Sequence, residues 1–289
     1  MQIDSAHVGT RLSPYFAAVD WRWMTNYAAA VGDTNPCYLD DTRGSGIVAH
    51  PVFPVAITWP VTLHLDRYLE GSAFPVELMA MQVHHSEYIA LHRPIRPGQQ
   101  LTVAGAVAAI WPHRAGSRVI LRYDASDQDG QAVFTEHIGG LLRGVSCTDE
   151  GRGLDDLPPD PPPAPEGPPL WEAPVAVDPL FSYRYDAGSG IAFPIHTSPA
   201  FARTVGLPGI IVQGTATLAL AVRELVNREA AGDPRRIAAL ACRFTGMVLP
   251  RTPIRVVLQH RAGENLFFEV RDSEEKRVLS RGHARLKAR

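Results

Sequence analysis

The 289-residue sequence predicts an α+β protein made of two similar halves, each an antiparallel sheet wrapped round a central helix. Three observations predict this: a proline-rich segment near the middle, a pattern that occurs once on each side of it, and the same order of helical and strand-like runs in both halves. Hydrophobic residues make up 45% and charged residues 20%, which is typical of a globular protein with substantial cores.

The proline-rich segment covers residues 157–174, of which nine are proline. Proline lacks the backbone N–H and disfavours helix at the preceding residue, so this segment cannot form a helix or a central strand. It is expected to be an extended, semi-rigid connector. We therefore predict an N-terminal domain at residues 1–150, a connector at 151–175 and a C-terminal domain at 176–289.

The two halves share a residue pattern. Residues 93–103 have the same length and pattern as residues 246–256. Residues 27–38 align without a gap on residues 185–196, and residues 46–51 align on residues 209–214 after a loop that is five residues shorter in the first half. A repeated unit of this size indicates a duplicated domain.

Each half has the same order of secondary structure, in which a short helix and a glycine loop precede a longer helix. The longer helices are expected at residues 52–69 and 215–228, and the second is apolar on more than one face, which predicts burial. Strand-like runs follow, separated by turn signals. They are residues 78–90, 100–111, 117–125 and 132–142 in the first half, and 236–244, 254–260, 265–271 and 277–286 in the second.

Charge and cysteine content exclude several functions. The net charge of −2 provides no basic field, so neither a nucleic-acid partner nor an anionic membrane surface is expected. Three scattered cysteines do not form a disulfide framework or a zinc site, and no metal or cofactor is predicted. The N-terminus lacks a secretion signal and no apolar run has transmembrane length, so a cytoplasmic location is expected. Motifs of nucleotide-binding proteins, serine hydrolases and zincins are missing from the sequence.

The segment that begins at Tyr183-Arg184-Tyr185 carries the most specific motif. It continues with Gly188-Ser189-Gly190 and Pro194-Ile195-His196-Thr197, and it reaches Gln213-Gly214 downstream. This run resembles the active-site stretch of the MaoC-like (type 2) enoyl-CoA hydratases, whose pattern is roughly Y-x-x-x-S-G-D-x-N-P-I-H followed by H-G. The resemblance covers nearly the whole chain and implies a tandem, or double, hotdog fold.

In that family the aspartate and histidine act together at C3 of an acyl thioester, and the asparagine fixes the substrate or the water. The amide of the glycine, at the N-terminus of the central helix, polarises the thioester carbonyl. The second half keeps His196 and Gly214 at the matching positions. Ile191, Phe193 and Gln213 stand where the family has aspartate, asparagine and the second histidine.

The first half keeps Asp33, Asn35 and His50, but it has Tyr38 at the histidine position and Pro51 at the glycine position. Proline has no N–H to donate to an oxyanion. Asp33 and Asn35 are also good turn and N-cap residues, so a loop-capping role is favoured for them. The resemblance to double-hotdog members of this family implies that such a degenerate first half shapes the acyl tunnel.

These observations lead to the prediction of a hydro-lyase of the acyl-thioester hydratase or dehydratase type, with a degenerate motif. His196, and secondarily Asp33, are the candidate catalytic residues. The candidate substrate-binding residues are Gly214, Gln213, Ser189, Asn35, Tyr38 and His50. The partner is expected to be an acyl thioester of coenzyme A or an acyl carrier protein, and the chain could form a homo-oligomer. Single-base isomerisation or cyclisation of a polyketide-like acyl chain, and a non-catalytic acyl-thioester binder or partner subunit, remain as alternatives.

The missing carboxylate also sets expectations for the chemistry. Apolar Ile191 and Phe193 should lower the pKa of His196 by desolvation. Because isoleucine cannot carry a proton, we expect weak hydration of crotonyl-CoA, unless Asp186 replaces the aspartate. His84, His85 and His92 have no carboxylate at metal-ligand spacing and are expected to be solvent-facing or satisfied, with His84 and His92 on one face of a strand.

Overall fold

The computed structural model describes residues 1–71 and 74–288. The first half contains β1 (Gln2–Ile3), β2 (Arg11–Ala18), α1 (Trp21–Val31), α2 (Pro36–Leu39), α3 (Pro54–Leu63), α4 (Leu65–Tyr68), β3 (Gln82–Leu91), β4 (Gln100–His113), β5 (Gly116–Ser126), β6 (Ala132–Arg143) and β7 (Ser146–Cys147). The second half contains β8 (Trp171–Val175), α5 (Phe181–Ser189), α6 (Pro199–Thr204), α7 (Gly214–Glu229), β9 (Ile237–Phe244), β10 (Ile254–Ala262), β11 (Asn265–Arg271) and β12 (Arg277–Leu286).

One ten-stranded antiparallel sheet runs through both halves, in the order β2-β4-β5-β6-β3-β9-β12-β11-β10-β8. The five strands of the second half follow the reverse of the order found in the first half, so the equivalent strands β3 and β9 are neighbours at the centre of the sheet. They pair with Tyr88 opposite Ala241. The prediction of a tandem hotdog, with an antiparallel sheet and a central helix in each half, is confirmed.

The end of the proline-rich segment belongs to the sheet. Residues Trp171–Val175, expected as part of the connector, form the edge strand β8 and pair with β10. Pro174 is tolerated there because an edge strand has one side on which its backbone N–H groups need no partner. The second hotdog therefore begins before residue 176.

The central helices differ between the halves. In α7 ten of the sixteen residues are buried, which confirms the expected burial on several faces. The helix expected at residues 52–69 is instead divided into α3 and α4 at His64. Pro60 lies inside α3, where it cannot donate the usual backbone hydrogen bond, and the helix ends one turn later. None of the helices within the described residues is long and apolar enough to cross a membrane.

Helices α1 and α5 pack against each other and join the two halves. The aligned tyrosines meet there, with the hydroxyls of Tyr27 and Tyr185 3.1 Å apart in the core. Gly188 allows this close approach, because a Cβ at that position would lie 2.7 Å from both Ala30 Cβ and the Asn26 carbonyl oxygen. The contact depends on glycine in α5.

Replacing Gly188 with alanine is expected to destabilise the chain by about 1–3 kcal/mol, because the added methyl group forces α1 and α5 apart. Thermal or guanidinium unfolding of the purified variant measures this. Gly209→Ala is the matched control, since a Cβ at Gly209 would meet no atom within 4 Å. Equal unfolding midpoints for the two variants would show that the helix contact does not depend on residue 188.

A β-bulge in β3 changes which histidines share a face. The pairing of β3 with β6 shifts between His84 and Ser86. His84 consequently lies on the inner face beside Glu87, whereas His92 lies next to Thr135 on the outer face. The expectation that His84 and His92 share a face is wrong, because a bulge adds one residue and reverses the alternation beyond it.

Candidate active site

His196 lies in space next to the residues that immediately precede α7, the central helix of the second half. It ends the 3-10 turn Pro194–His196, and its Nδ1 lies 2.8 Å from the carbonyl oxygen of Ile211. A carbonyl only accepts hydrogen bonds, so Nδ1 carries the proton and Nε2 keeps a free lone pair. Desolvation by burial lowers the pKa of His196 to about 4, so the imidazole is neutral near pH 7 and can act as a base.

Apolar residues occupy the two motif positions that shortly precede His196. Ile191 is only 3% exposed and belongs to the core, whereas Phe193 is 38% exposed with its ring centroid 6.5 Å from that of His196. Burial of the imidazole accounts for its lowered pKa. The orientation of His196 comes from the Ile211 backbone rather than from a carboxylate, which the sequence motif did not reveal.

Gly214 is the first residue of α7, so its amide belongs to the first turn, where backbone N–H groups have no partner within the helix. A Cβ at Gly214 would lie 3.1–3.4 Å from the ring of Phe244, so the glycine lets this ring pack against the helix start. Gly214 is half-buried, and its amide lies at the positive end of the helix dipole. It therefore has the properties of a carbonyl donor.

Ser189 and Gln213, both expected to bind substrate, are used inside the protein. The Ser189 hydroxyl donates to the Tyr185 carbonyl oxygen at 2.5 Å and accepts from the Ile191 amide at 3.0 Å. The Gln213 side chain is 1% exposed and donates to the Ser182 carbonyl oxygen at 3.2 Å. We reassign both residues to holding the loop and α5 in place, since neither presents a free polar group at the surface.

In the first half, Asn35 connects the loop to the second half. Its side-chain oxygen accepts from the Cys37 amide at 3.0 Å, which caps α2, and its side-chain nitrogen donates to the Gly232 carbonyl oxygen at 2.6 Å. Asp33 accepts from the Asn35 amide at 3.1 Å. These bonds agree with the loop-capping interpretation of Asp33 and Asn35.

Asp33 Oδ2, Tyr38 Oη and His50 Nε2 nevertheless are among the buried polar atoms of the first half that have no hydrogen bond of good geometry within the described chain. The rings of Tyr38 and His50 are 5.6 Å apart. Burial raises the pKa of Asp33 and of Tyr38, and it lowers the pKa of His50 to about 3. Asp33 also borders an open groove of about 550 Å³ that Arg43 and Asn227 help to line.

Asp33 and His196 lie at opposite ends of α7. Asp33 faces Arg223 and Asn227 in the later part of the helix, whereas His196 is bonded to Ile211, just before its first residue. At 1.5 Å per residue, these levels are roughly 15–20 Å apart along the axis. The two candidate catalytic residues therefore do not form one composite site.

Sequence reasoning missed a polar pair on the inner face of the sheet. His84 Nε2 lies 3.1 Å from Glu87 Oε2, and the His84 ring centroid is 4.5 Å from that of Phe244. Glu136, on the neighbouring strand β6, faces Glu87, and both carboxyl groups are almost completely buried. A carboxylate three positions after a histidine is a weak signal in a strand, and the bulge that brings the two side chains together is not visible in the sequence.

Comparison with known proteins places this geometry in a family. The family model described as "MaoC like domain" matches residues 161–281, and the model "FAS1-like, dehydratase domain region" matches residues 6–136. The protein named 3-hydroxyacyl-thioester dehydratase Y of Mycobacterium tuberculosis is 31% identical over 267 residues, which cover 89% of this chain and 88% of that protein. The chain belongs to the MaoC-like dehydratase family.

Solved structures agree on the fold of this MaoC-like chain. A MaoC-like dehydratase from Phytophthora capsici superposes with a TM-score of 0.85 at 21% identity, covering 98% of both chains. A conserved hypothetical protein of Mycobacterium tuberculosis with a double hotdog fold superposes with a TM-score of 0.61 at 14% identity, covering 96% of both chains. Membership of a dehydratase family confirms the prediction of a hydro-lyase at the level of the family.

Proposed function

We propose that the chain removes water from a 3-hydroxyacyl thioester, and adds it in reverse, at the start of α7. The observation that supports this most directly is the hydrogen bond from His196 Nδ1 to the Ile211 carbonyl oxygen, just before α7 begins. This bond orients the imidazole and leaves Nε2 as a neutral base. The Gly214 amide would polarise the thioester carbonyl. The relative named as a 3-hydroxyacyl-thioester dehydratase supports this substrate class.

The chemistry follows from charge development on the thioester. Removal of the C2 proton by His196 Nε2 places negative charge on the carbonyl oxygen, and a preorganised amide at a helix N-terminus stabilises it. The C3 hydroxyl then leaves as water when the protonated Nε2 of His196 passes the same proton to its oxygen, which returns His196 to the neutral form. The first half has Pro51 at the equivalent position, which cannot donate, and this favours the second half as the reacting site.

A single-base reaction is the second candidate. Ile191 is buried in the core at the position of the missing aspartate, so the immediate loop provides one proton carrier only. A base that removes and returns one proton is sufficient to move a double bond along an acyl chain. Weak hydration of crotonyl-CoA stays a prediction, because Ile191 cannot carry a proton at the aspartate position.

The test combines a structure and an assay. In a crystal structure with butyryl-CoA, which has no C3 hydroxyl to lose, we expect the thioester oxygen within hydrogen-bonding distance of the Gly214 amide. In solution, we expect water to add to a series of enoyl-CoAs, with crotonyl-CoA slow. A carbonyl placed beside His50 and Asp33 would instead assign the reaction to the first half. A shift of the double bond without water addition would favour the isomerase.

A further inference from the structure

Arg118 of β5 is a buried cation on the outer face of the sheet. The residue is only 7% exposed, and its guanidinium group donates to the Ser86 hydroxyl oxygen at 2.9 Å. The same group lies over the Trp111 ring, 4.9 Å from the ring centroid. Gly139 leaves the necessary space, because a Cβ there would collide with the Ser86 hydroxyl and lie 3.1 Å from the guanidinium. The Arg118 side chain is therefore held in one orientation.

The charge of Arg118 lacks a counter-ion at contact distance. Within residues 1–71 and 74–288 its guanidinium forms no ion pair, and its Nε is buried without a hydrogen bond of good geometry. Burial, and secondarily the nearby Arg243, lowers the pKa of Arg118 to about 10, so the group is still cationic near pH 7. A buried charge without a counter-ion is destabilising, which favours an anion beside it.

Three further basic side chains lie close to Arg118: Arg243, His85 and His113. Together the four form what is called the basic patch below. Arg243 of β9 is directly opposite Ser86 of β3, so its side chain is on the same outer face, about 5 Å away along the backbone hydrogen bonds. The rings of His85 and His113 are 5.9 Å apart. Burial lowers the pKa of His85 to about 4, and the charges of Arg118 and Arg243 lower it as well, which indicates a positive potential at the patch.

Asp160 of the proline-rich segment supplies a carboxylate to this patch. It forms an ion pair with Arg243, and 65% of its side chain is exposed. Residues 157–170 form no helix or strand, so displacing Asp160 would break no secondary structure. An exposed ion pair of this kind contributes little to stability. A ligand anion can therefore take the place of Asp160.

The basic patch lies across the sheet from the start of α7. Phe244 directly follows Arg243, and its ring packs on the inner face against Gly214. His84 directly precedes His85, and its ring is 4.5 Å from that of Phe244. Strand β9 ends and β3 begins near this point, where the His84 side chain is 23% exposed and Phe244 is half-buried. A ligand that passes round the ends of these two strands can contact both the helix start and the patch.

We propose that the basic patch binds a phosphate group of the carrier to which the acyl thioester is attached. This proposal rests on the proposed function and adds a second contact to the same substrate. The long pantetheine arm, common to CoA and to acyl carrier proteins, separates the thioester from the phosphate. The carbonyl would lie at the Gly214 amide while the phosphate oxygens accept from Arg118 and Arg243, because guanidinium groups form strong, charge-assisted hydrogen bonds to phosphate. The phosphate would replace Asp160.

The experiment is a calorimetric titration of the whole chain with three ligands: butyryl-CoA, butyryl-phosphopantetheine and butyryl-pantetheine, which has no phosphate. For the native protein we expect butyryl-CoA to bind on the order of 10-fold more tightly than butyryl-pantetheine, because hydrogen bonds to a charged group are gained. Arg118→Gln and Arg243→Gln are each expected to reduce this difference by weakening butyryl-CoA alone. Asp160→Asn is expected to tighten butyryl-CoA binding, since the competing carboxylate is removed.

Arg122→Gln is the matched control. Arg122 lies on the same strand and face as Arg118, but its Nε forms an ion pair with Asp124 at 2.8 Å, so native affinities are expected. Where Arg118→Gln does not fold, Arg243→Gln decides the matter, since the Arg243 side chain is 32% exposed.

The outcomes separate the patch from the reaction. If the native protein binds all three ligands equally, or if both arginine variants keep the native difference, the patch is overturned, and hydration of enoyl-CoAs would still uphold the proposed function. If the variants remove the difference but the native protein hydrates no enoyl-CoA, the patch is upheld and the proposed function fails. If no ligand binds, both fail. Tighter binding of butyryl-phosphopantetheine as well as butyryl-CoA assigns the patch to the phosphate of the pantetheine arm, and tighter binding of butyryl-CoA alone assigns it to the nucleotide phosphates.

Discussion

Replacing His196 with glutamine is expected to lower kcat/KM for enoyl-CoA hydration by on the order of 10²–10⁴. Glutamine can keep the hydrogen bond to the Ile211 carbonyl oxygen through its side-chain N–H, so the loop is retained. It has no free nitrogen lone pair to accept the C2 proton. The loss would therefore report the missing base rather than a rearranged loop.

The control is His260→Gln, which changes a half-buried histidine of β10 whose ring lies 6.0 Å from that of Phe267. Initial rates over a range of substrate concentrations, together with the unfolding midpoint of each variant, complete the measurement. Efficient hydration that survives in His196→Gln would remove His196 from the mechanism. Attention would then turn to Asp33, Tyr38 and His50 of the first half, each of which has one polar atom buried without a good partner in the described chain.

Replacing Glu136 with glutamine is expected to increase the stability of the chain relative to native progressively as the pH rises above its unfolded-state pKa of 4.5. Burial and the neighbouring Glu87 raise the pKa of the Glu136 carboxyl well above its usual value of 4.5, and the pKa of Glu87 is raised by burial. The contribution of these two carboxyl groups to the stability of the folded state is thus fully present below pH 4.5. As the pH rises above 4.5, the unfolded chain loses these protons while the folded chain retains them.

Each retained proton lowers the free energy of unfolding by about 1.4 kcal/mol per pH unit, until the pH reaches the raised pKa of the folded state. Glu136→Gln removes one such group. The buried histidines have lowered pKa values, so their contribution to the free energy of unfolding increases as the pH rises. This contribution is the same in both proteins. The native-minus-variant difference therefore isolates the carboxyl pair.

Guanidinium unfolding of both proteins between pH 5 and pH 8 measures that difference. We expect Glu136→Gln to gain on native progressively as the pH rises. Glu264→Gln, which changes an exposed glutamate in a turn, is expected to follow native at every pH. A constant difference between native and Glu136→Gln across this range would show that the carboxyl pair ionises as easily in the folded chain as in the unfolded one.

Local sequence patterns determined most of the fold. The strands at residues 265–271 and 277–286 have the predicted bounds, because alternating apolar residues and the turn residues between them specify strand and turn locally. The repeated pattern established the duplication, and the apolar faces of residues 215–228 established the buried helix. The motif also located His196 and Gly214 at the start of that helix.

The tertiary structure decided how the polar side chains are used. The Ile211 carbonyl orients His196, and internal hydrogen bonds withdraw Ser189 and Gln213 from any ligand; these partners depend on the path of the backbone, which residue types do not encode. Likewise, the bulge after His84 and the pairing of β3 with β6 bring His84, Glu87 and Glu136 together. The sequence alone thus determined a duplicated MaoC-like fold. Only the tertiary structure placed Glu87 and Glu136 side by side in the interior, because strand pairing brings together residues that are far apart along the chain.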